Sequence, residues 1–228
     1  MRVFSPTDVH QVFFNYRGEE LRYNFISHLV DAFENHEIKF FVDIYEERGK
    51  DFKNLFVRIE ESRIALAIFS PRYAESRWCM DELVKMKNLV DQGKLQVIPI
   101  FYKVKAQDVR GQEGEFGDNF GKLAKASSGD QIMKWKEALE SISDKMGLSL
   151  RDKSSEADFI KKIVKEVQKV IAAIEIEDED NHFVLNHLML GPRHEPDAME
   201  IFKRLEKIKE TPSDHQACSL HHSPNPKF

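Results

Sequence analysis

The chain has only two cysteines, Cys79 and Cys218, far apart and in unlike surroundings. Two such residues make no disulfide framework, and the usage fits a reducing interior. Long apolar runs are missing too. Stretches such as Ile64–Phe69 and Val97–Phe101 are far too short to span a bilayer. Residues 1–9 form a short mixed leader without an apolar core, which argues against a secretory signal. Arg2 excludes N-terminal myristoylation. There is no basic excess: 34 Lys and Arg against 39 Asp and Glu give a net charge of -5. Nucleic acid and anionic membrane are therefore not expected partners. These absences point to a soluble intracellular protein, in the cytoplasm or nucleus.

What is present is enough for a core: 228 residues, 41% of them hydrophobic, suit one domain plus an appendage. Gln11–Tyr16 reads as a buried first strand, ending at Arg17-Gly18. Asn24–Asn35 reads as a helix with Phe25, Ile26, Leu29, Val30 and Phe33 on one face. Ile38–Val42 is a second strand, followed by a charged loop, Asp43–Asp51, and a helix over Phe52–Glu61. Ile64–Phe69 has the unbroken apolar character of a central parallel strand. Leu95–Phe101 is a fourth strand, in which Pro99 implies an edge or a frayed end. A loop from Lys103 to Gly114 leads to helices over Phe116–Lys125 and Gln131–Met146. Leu148–Leu150 is a candidate fifth strand, and Ser155–Ala173 a last amphipathic helix. The domain thus covers 10–174. Residues 175–228 are expected to be an acidic linker (Glu175–Asp180) and a low-order tail, with a possible helix over 195–209. His215, Cys218, His221 and His222 match no structural zinc spacing, so no metal is expected.

Alternating strands and helices predict an α/β fold with a flavodoxin-like, doubly wound parallel sheet of order 2-1-3-4-5. In that order, sites form where the carboxyl ends of strands 1 and 3 diverge. Strand 1 ends at Arg17, and strand 3 leads into Ser76-Arg77-Trp78-Cys79-Met80-Asp81-Glu82-Leu83. The topology therefore brings Arg17 and Glu82 to one crevice. The octapeptide opens a helix with Cys79, Leu83, Met86 and Val90 on its apolar face, and with Trp78 and Glu82 four residues apart on its flank. That pair is either a ligand-binding corner or an ordinary first turn, with Trp as filler and Asp81 and Glu82 answering the helix dipole. Cys79 reads as a small buried residue. Arg17 is either a ligand contact or the partner of Glu19 or Glu20.

Several segments resemble one family. QVFFNYRGEELR resembles the opening motif of plant TIR (Toll/interleukin-1 receptor-like) domains, and RIEESRIALAIFSPRYAESRWCMDELVKM resembles their central block. VIPIFYKV and GEFGDNFGK resemble the region around their fourth strand. The likeness covers about residues 10–173 and implies the same sheet. Neither a P-loop nor leucine-rich repeats accompany it, so a stand-alone or truncated TIR protein of the plant immune type is expected. The resemblance implies an enzyme that hydrolyses the nicotinamide–ribose bond of NAD+, with NAD+ as substrate and no cofactor. Glu82 matches the family's catalytic glutamate. Ser76 and Trp78 match its S-x-W-C site residues, and Arg17, Gly18 and Arg22 its motif after strand 1. Arg48, with Gly49, matches the loop after strand 2. Ser27 and His28 match the pair used for TIR–TIR contact, which implies homo- or hetero-oligomers with TIR domains; on spacing alone they are equally two helix-surface residues.

The chemistry suits these residues. As nicotinamide leaves, positive charge develops on the ribose, and one carboxylate can stabilise it without protonating the leaving group. Arginines match a pyrophosphate by charge-assisted bidentate bonds. Two departures stand out: Tyr16–Arg22 replaces the usual F-R-G-E-D-T-R, and Glu46 replaces an apolar residue in the loop that assembles TIR domains. The rival reading is a non-enzymatic adaptor that binds other TIR domains. A phospho-receiver is excluded, because Phe69-Ser70 stands where it needs an aspartate. A nucleic-acid-linked cyclase is allowed by the resemblance but gains nothing from the charge balance.

Overall fold

The computed structural model describes residues 12–42, 53–150 and 155–190. Among these residues, five strands form one parallel sheet of order 2-1-3-4-5: β1 (Val12–Tyr16), β2 (Phe40–Phe41), β3 (Ile64–Phe69), β4 (Gln96–Phe101) and β5 (Leu148–Ser149). Among the described residues, eight α-helices connect or follow them: α1 (Gly18–Leu21), α2 (Ser27–Asn35), α3 (Lys53–Glu60), α4 (Arg77–Asp91), α5 (Ala106–Gly111), α6 (Gly114–Lys125), α7 (Gly129–Ser143) and α8 (Glu156–Leu190). The chain divides into two compact units, Met1–Glu177 and Asp178–Phe228. The sheet belongs to the first. In the second, the described backbone is helical as far as Leu190. No helix among the described residues is long and apolar enough to cross a membrane.

Alternation along the strands builds two cores. Val12, Phe14 and Tyr16 of β1 share one face with Ile64, Leu66 and Ile68 of β3, covered by α2 and by Phe159, Ile163 and Val167 of α8. Phe13, Ala65, Ala67 and Phe69 line the other face, covered by α4 and α7. Ala65 and Ala67 are small, and Ala67 lies opposite Asn15 in the register. Small side chains at the sheet centre let α4 come close to β1.

Pro99 sits where its missing donor costs nothing. Gln96 and Tyr102 donate toward β3, to the carbonyls of Arg63 (3.0 Å) and Phe69 (2.8 Å), so the odd-numbered residues between them face the β5 side. There β5 pairs only with Ile100 and Phe101. The chain reaches β5 through Gly147, where a Cβ would lie 2.3 Å from the Pro99 carbonyl oxygen.

Four boundaries differ from the sequence expectation. The first helical segment starts at Gly18 rather than Asn24, because Leu21 is buried with Phe25 and Ile26. A π-helical turn over Arg22–Ile26 absorbs the polar interruption Arg22-Tyr23-Asn24 that hides this continuity in the sequence. β2 is only two residues long, paired through Val12↔Phe40 and Phe13↔Phe41. The expected loop from Lys103 to Gly114 contains α5, anchored by the buried Val109 and ended by Gln112 in the left-handed region (φ 50°). Finally, Glu175–Asp180 is helical, and the boundary between the two units falls within it. No Gly or Pro occurs from Glu156 to Leu190, Ala and Glu are good helix formers, and the acidic side chains stay largely exposed. The leader, the Asp43–Asp51 loop, residues 195–209 and the tail lie outside the described residues.

Gly147→Ala should therefore destabilise the protein by about 1–3 kcal/mol, since backbone must move to admit the methyl group. Gly129→Ala should be neutral or slightly stabilising, because nothing lies within 4 Å of a Cβ there. Thermal unfolding of the two variants checks the contrast.

Candidate active site

The site is built where β1 ends beside the start of α4. Ser76 is the N-cap of α4: it is extended (φ −91°, ψ 107°) and its Oγ accepts from the Cys79 amide at 3.2 Å. The cap sets the first turn of the helix, and with it the directions of the side chains that follow. Trp78 is half-buried, its ring 5.5 Å from that of Phe56 on α3 and inclined by 49°. It therefore walls the gap between α3 and α4. Cys79 is buried, and its Sγ donates to the Tyr16 carbonyl at 3.2 Å. Asp81 turns the other way, with Oδ1 accepting from Gln131 Nε2 (2.7 Å) and from Trp135 Nε1 (2.8 Å) of α7.

Glu82 points inward and is only 5% exposed. Its Oε2 accepts from Asn15 Nδ2 at 2.7 Å. The same Nδ2 lies 3.3 Å from the Cys79 carbonyl oxygen, and Tyr73 donates its hydroxyl to Asn15 Oδ1. Burial pushes the Tyr73 phenol well above its ordinary range, and the proximity of Cys79 and Glu82 adds to this. Sequence reasoning missed Asn15 and Tyr73. The available signal was a lone amide inside an otherwise apolar, fully buried strand, since a buried polar side chain needs a partner.

The end of β1 runs along the start of α4: Asn15, Tyr16 and Arg17 bond in turn to Glu82, Cys79 and Glu75. Arg17, 13% exposed, pairs with Glu19 and, at 3.0 Å, with Glu75. Glu75 also meets Arg72 at 2.9 Å. The hydrogen bond from Arg72 holds the Glu75 carboxyl below its ordinary range, and the charges of Arg17 and Arg72 contribute. Glu20 takes the Ser70 hydroxyl rather than Arg17. Arg22 folds back over Gly18, where a Cβ would come within 2.6 Å of its guanidinium.

Six residues singled out in the sequence are thus gathered at the ends of β1 and β3: Arg17, Gly18, Arg22, Ser76, Trp78 and Glu82. Ser27 and His28 are not among them. They lie on α2, which packs on the opposite sheet face from α4. Ser27 Oγ donates to the Asn24 carbonyl at 2.7 Å, and His28 is exposed. Arg48, Gly49 and Glu46 lie outside the described residues. A separate cavity of about 460 Å³ opens beyond β4 and β5, lined by Lys103, Lys105, Asp108, Glu115 and Phe116 among others, and by none of the site residues above. Among the described residues, no group of three or more His, Cys, Asp or Glu is placed to hold a metal ion.

A parallel sheet of this order, with an arginine–glycine turn after β1 and a capped helix bearing a buried glutamate after β3, is a TIR arrangement. The TIR domain family matches residues 9–218, and the chain belongs to that family. It is 59% identical over 179 residues to disease resistance protein RBA1 of Arabidopsis thaliana, covering 78% of this chain and 49% of that protein. It is 49% identical to disease resistance protein RPS4B of the same plant, over 74% of this chain and 14% of the relative. The chain thus spans about half of the one and a seventh of the other. Among solved structures, the TIR domains of the activated Roq1 resistosome superpose with a TM-score of 0.64 at 35% identity, covering 69% of this chain and 99% of that one.

Asp81→Ala should cost about 1–3 kcal/mol, because it leaves the buried Trp135 indole N–H without an acceptor. Asp81→Asn, which keeps an acceptor oxygen, should cost less. Thermal or denaturant unfolding of both variants distinguishes the two effects.

Proposed function

We propose that the protein is an NAD+ hydrolase of plant immune signalling that cleaves the nicotinamide–ribose bond and acts when TIR domains associate. The observation that carries this reading is Glu82: a carboxylate kept in a buried setting at the switch point of the sheet, hydrogen-bonded to Asn15. Packing does not call for a carboxylate there, since burying one costs several kcal/mol unless it is compensated. Such groups cluster where chemistry needs them.

The bond that breaks is the one from ribose C1′ to the pyridinium nitrogen. Nicotinamide departs with the electron pair and becomes neutral, so no general acid is required. Positive charge builds on the sugar, and Glu82 stabilises it across a short distance in a water-poor setting. Water then adds to C1′ and loses a proton, giving ADP-ribose; attack by a group of the nucleotide itself would give a cyclic product. Trp78 forms a wall of the pocket. Arg17, Arg22 and Arg48 are the proposed pyrophosphate contacts. Ser27 and His28, on the far face, serve self-association in this reading, in keeping with the assembled TIR domains of the Roq1 resistosome. The reaction needs no cofactor and runs in the cytoplasm or nucleus.

One observation favours the adaptor instead. Arg17 is already paired with Glu19 and Glu75, so a pyrophosphate must displace a carboxylate to reach it. Nicotinamide release from NAD+ at high protein concentration tests both readings. An enzyme shows release that falls about 100-fold or more in Glu82→Ala. An adaptor shows none, while its association with TIR domains persists. Equal release by both proteins would remove Glu82 from the reaction.

A further inference from the structure

Asn15 is completely buried in a strand whose other described residues are Val12, Phe13, Phe14 and Tyr16. Strand alternation puts it, with Phe13, on the face toward α4. Two oxygens meet one end of its amide: the Cys79 carbonyl at 3.3 Å and Glu82 Oε2 at 2.7 Å. A peptide carbonyl only accepts, so that end of the amide must be the NH2, and Oδ1 points away. There it receives the Tyr73 hydroxyl, which also lies 3.1 Å from the Cys79 carbonyl. A flipped amide would turn Oδ1 onto two acceptors, so the Cys79 carbonyl and the Glu82 carboxylate oppose the flip. The Tyr73 ring cannot easily withdraw, being fully buried edge-on to Phe69, with ring centres 5.0 Å apart.

We propose that Asn15 and Tyr73 are positioning residues that hold the Glu82 carboxylate in a single orientation. The inference rests on the reading of Glu82 as the group that meets the ribose. Asn15 grips the carboxylate directly, and Tyr73 acts through Asn15 by donating to its Oδ1, which steadies the amide against the carboxylate. Tyr73 keeps its proton for this task because burial disfavours the phenolate.

Several described charged and titratable groups on the neighbouring elements have partners elsewhere. On β1 and the turn before α4, Arg17 pairs with Glu19 and Glu75. On α4, Cys79 donates to the Tyr16 carbonyl, Asp81 faces α7, and Lys85 pairs with Glu60 of α3. On α3, Arg58 pairs with Glu61. Replacing Asn15 by aspartate changes one direct partner of Glu82 by one atom and one charge.

The test uses the full chain with Asn15→Asp and Tyr73→Phe, the latter keeping the packed ring. Isotope-edited infrared spectra, taken as differences from Glu82→Gln, report the Glu82 carboxylate without requiring activity. Nicotinamide release gives kcat, KM and their pH dependence. In Asn15→Asp, two carboxylates at hydrogen-bond distance must share a proton. A protonated carboxyl band is expected near neutral pH, and the acid limb of kcat should move up by about one pH unit or more. In Tyr73→Phe the carboxylate band should shift or broaden, and kcat should fall about tenfold with KM changed less than about twofold, as expected when a reacting group is misplaced. Unchanged carboxylate bands in folded Tyr73→Phe and Asn15→Asp would overturn the proposal, and so would an unchanged pH profile. If Asn15→Asp does not fold, Tyr73→Phe alone decides by the same band. Absence of nicotinamide release from the wild type would defeat the enzymatic reading, while the infrared result still decides the positioning role.

Discussion

A carboxylate buried between a central strand and a helix sets the terms for this structure. Glu82 cannot be taken from water unless polar atoms replace the water. Asn15 supplies the amide that does so, and Tyr73 completes the amide's own hydrogen bonds. The approach needs small neighbours, and the central strand provides Ala65 and Ala67 on that face. It also needs a helix that starts at a defined residue, which the Ser76 cap ensures. The opposite flank of the same helix is held by Asp81, bound to Gln131 and Trp135. Two acidic residues adjacent in sequence, about 100° apart around a helix, thus do different work. One fixes the helix to its neighbour, and the other is carried into the crevice.

The cationic end of β1 is organised differently. Arg17, Arg72, Glu19 and Glu75 form a linked set in which each guanidinium has carboxylates at hand. Arg22 lies over a glycine that leaves it room. Charges arranged this way are ordered before any anion arrives, so less side-chain freedom is lost on binding. In the proposed reaction the cost is competition, because an incoming phosphate must be a better partner than Glu75 or Glu19. For the NAD+ substrate proposed above, that arrangement would favour a doubly charged pyrophosphate over a lone carboxylate.

The strand order and both faces of the sheet were legible in the sequence, because Ile64–Phe69 and its neighbours announce buried strands and the helices between them carry apolar stripes. The gathering of Arg17 and Glu82 at one end followed from topology alone. Asn15 was not read, because its partners Tyr73 and Glu82 lie 58 and 67 residues away and no local pattern links them. Arg17's second partner, Glu75, was hidden for the same reason. The start of the first helix was misread because a π turn breaks the helical period at Arg22–Ile26. The helix through Glu175–Asp180 was not read, because acidity marks solvent exposure and says nothing of helix; both hold there.

Among the described residues, both margins of the sheet are minimal. β2 and β5 are two residues each, and next to β5 the chain sets Pro99, which presents no donor on its outward side, while Gly147 lies against its carbonyl. A sheet bordered this way offers a foreign strand almost no ladder to continue. Copies of the chain brought together at high local density can then meet through their helices without their sheets merging. At the described rim, a rise in local concentration therefore meets few strand-edge groups to pair.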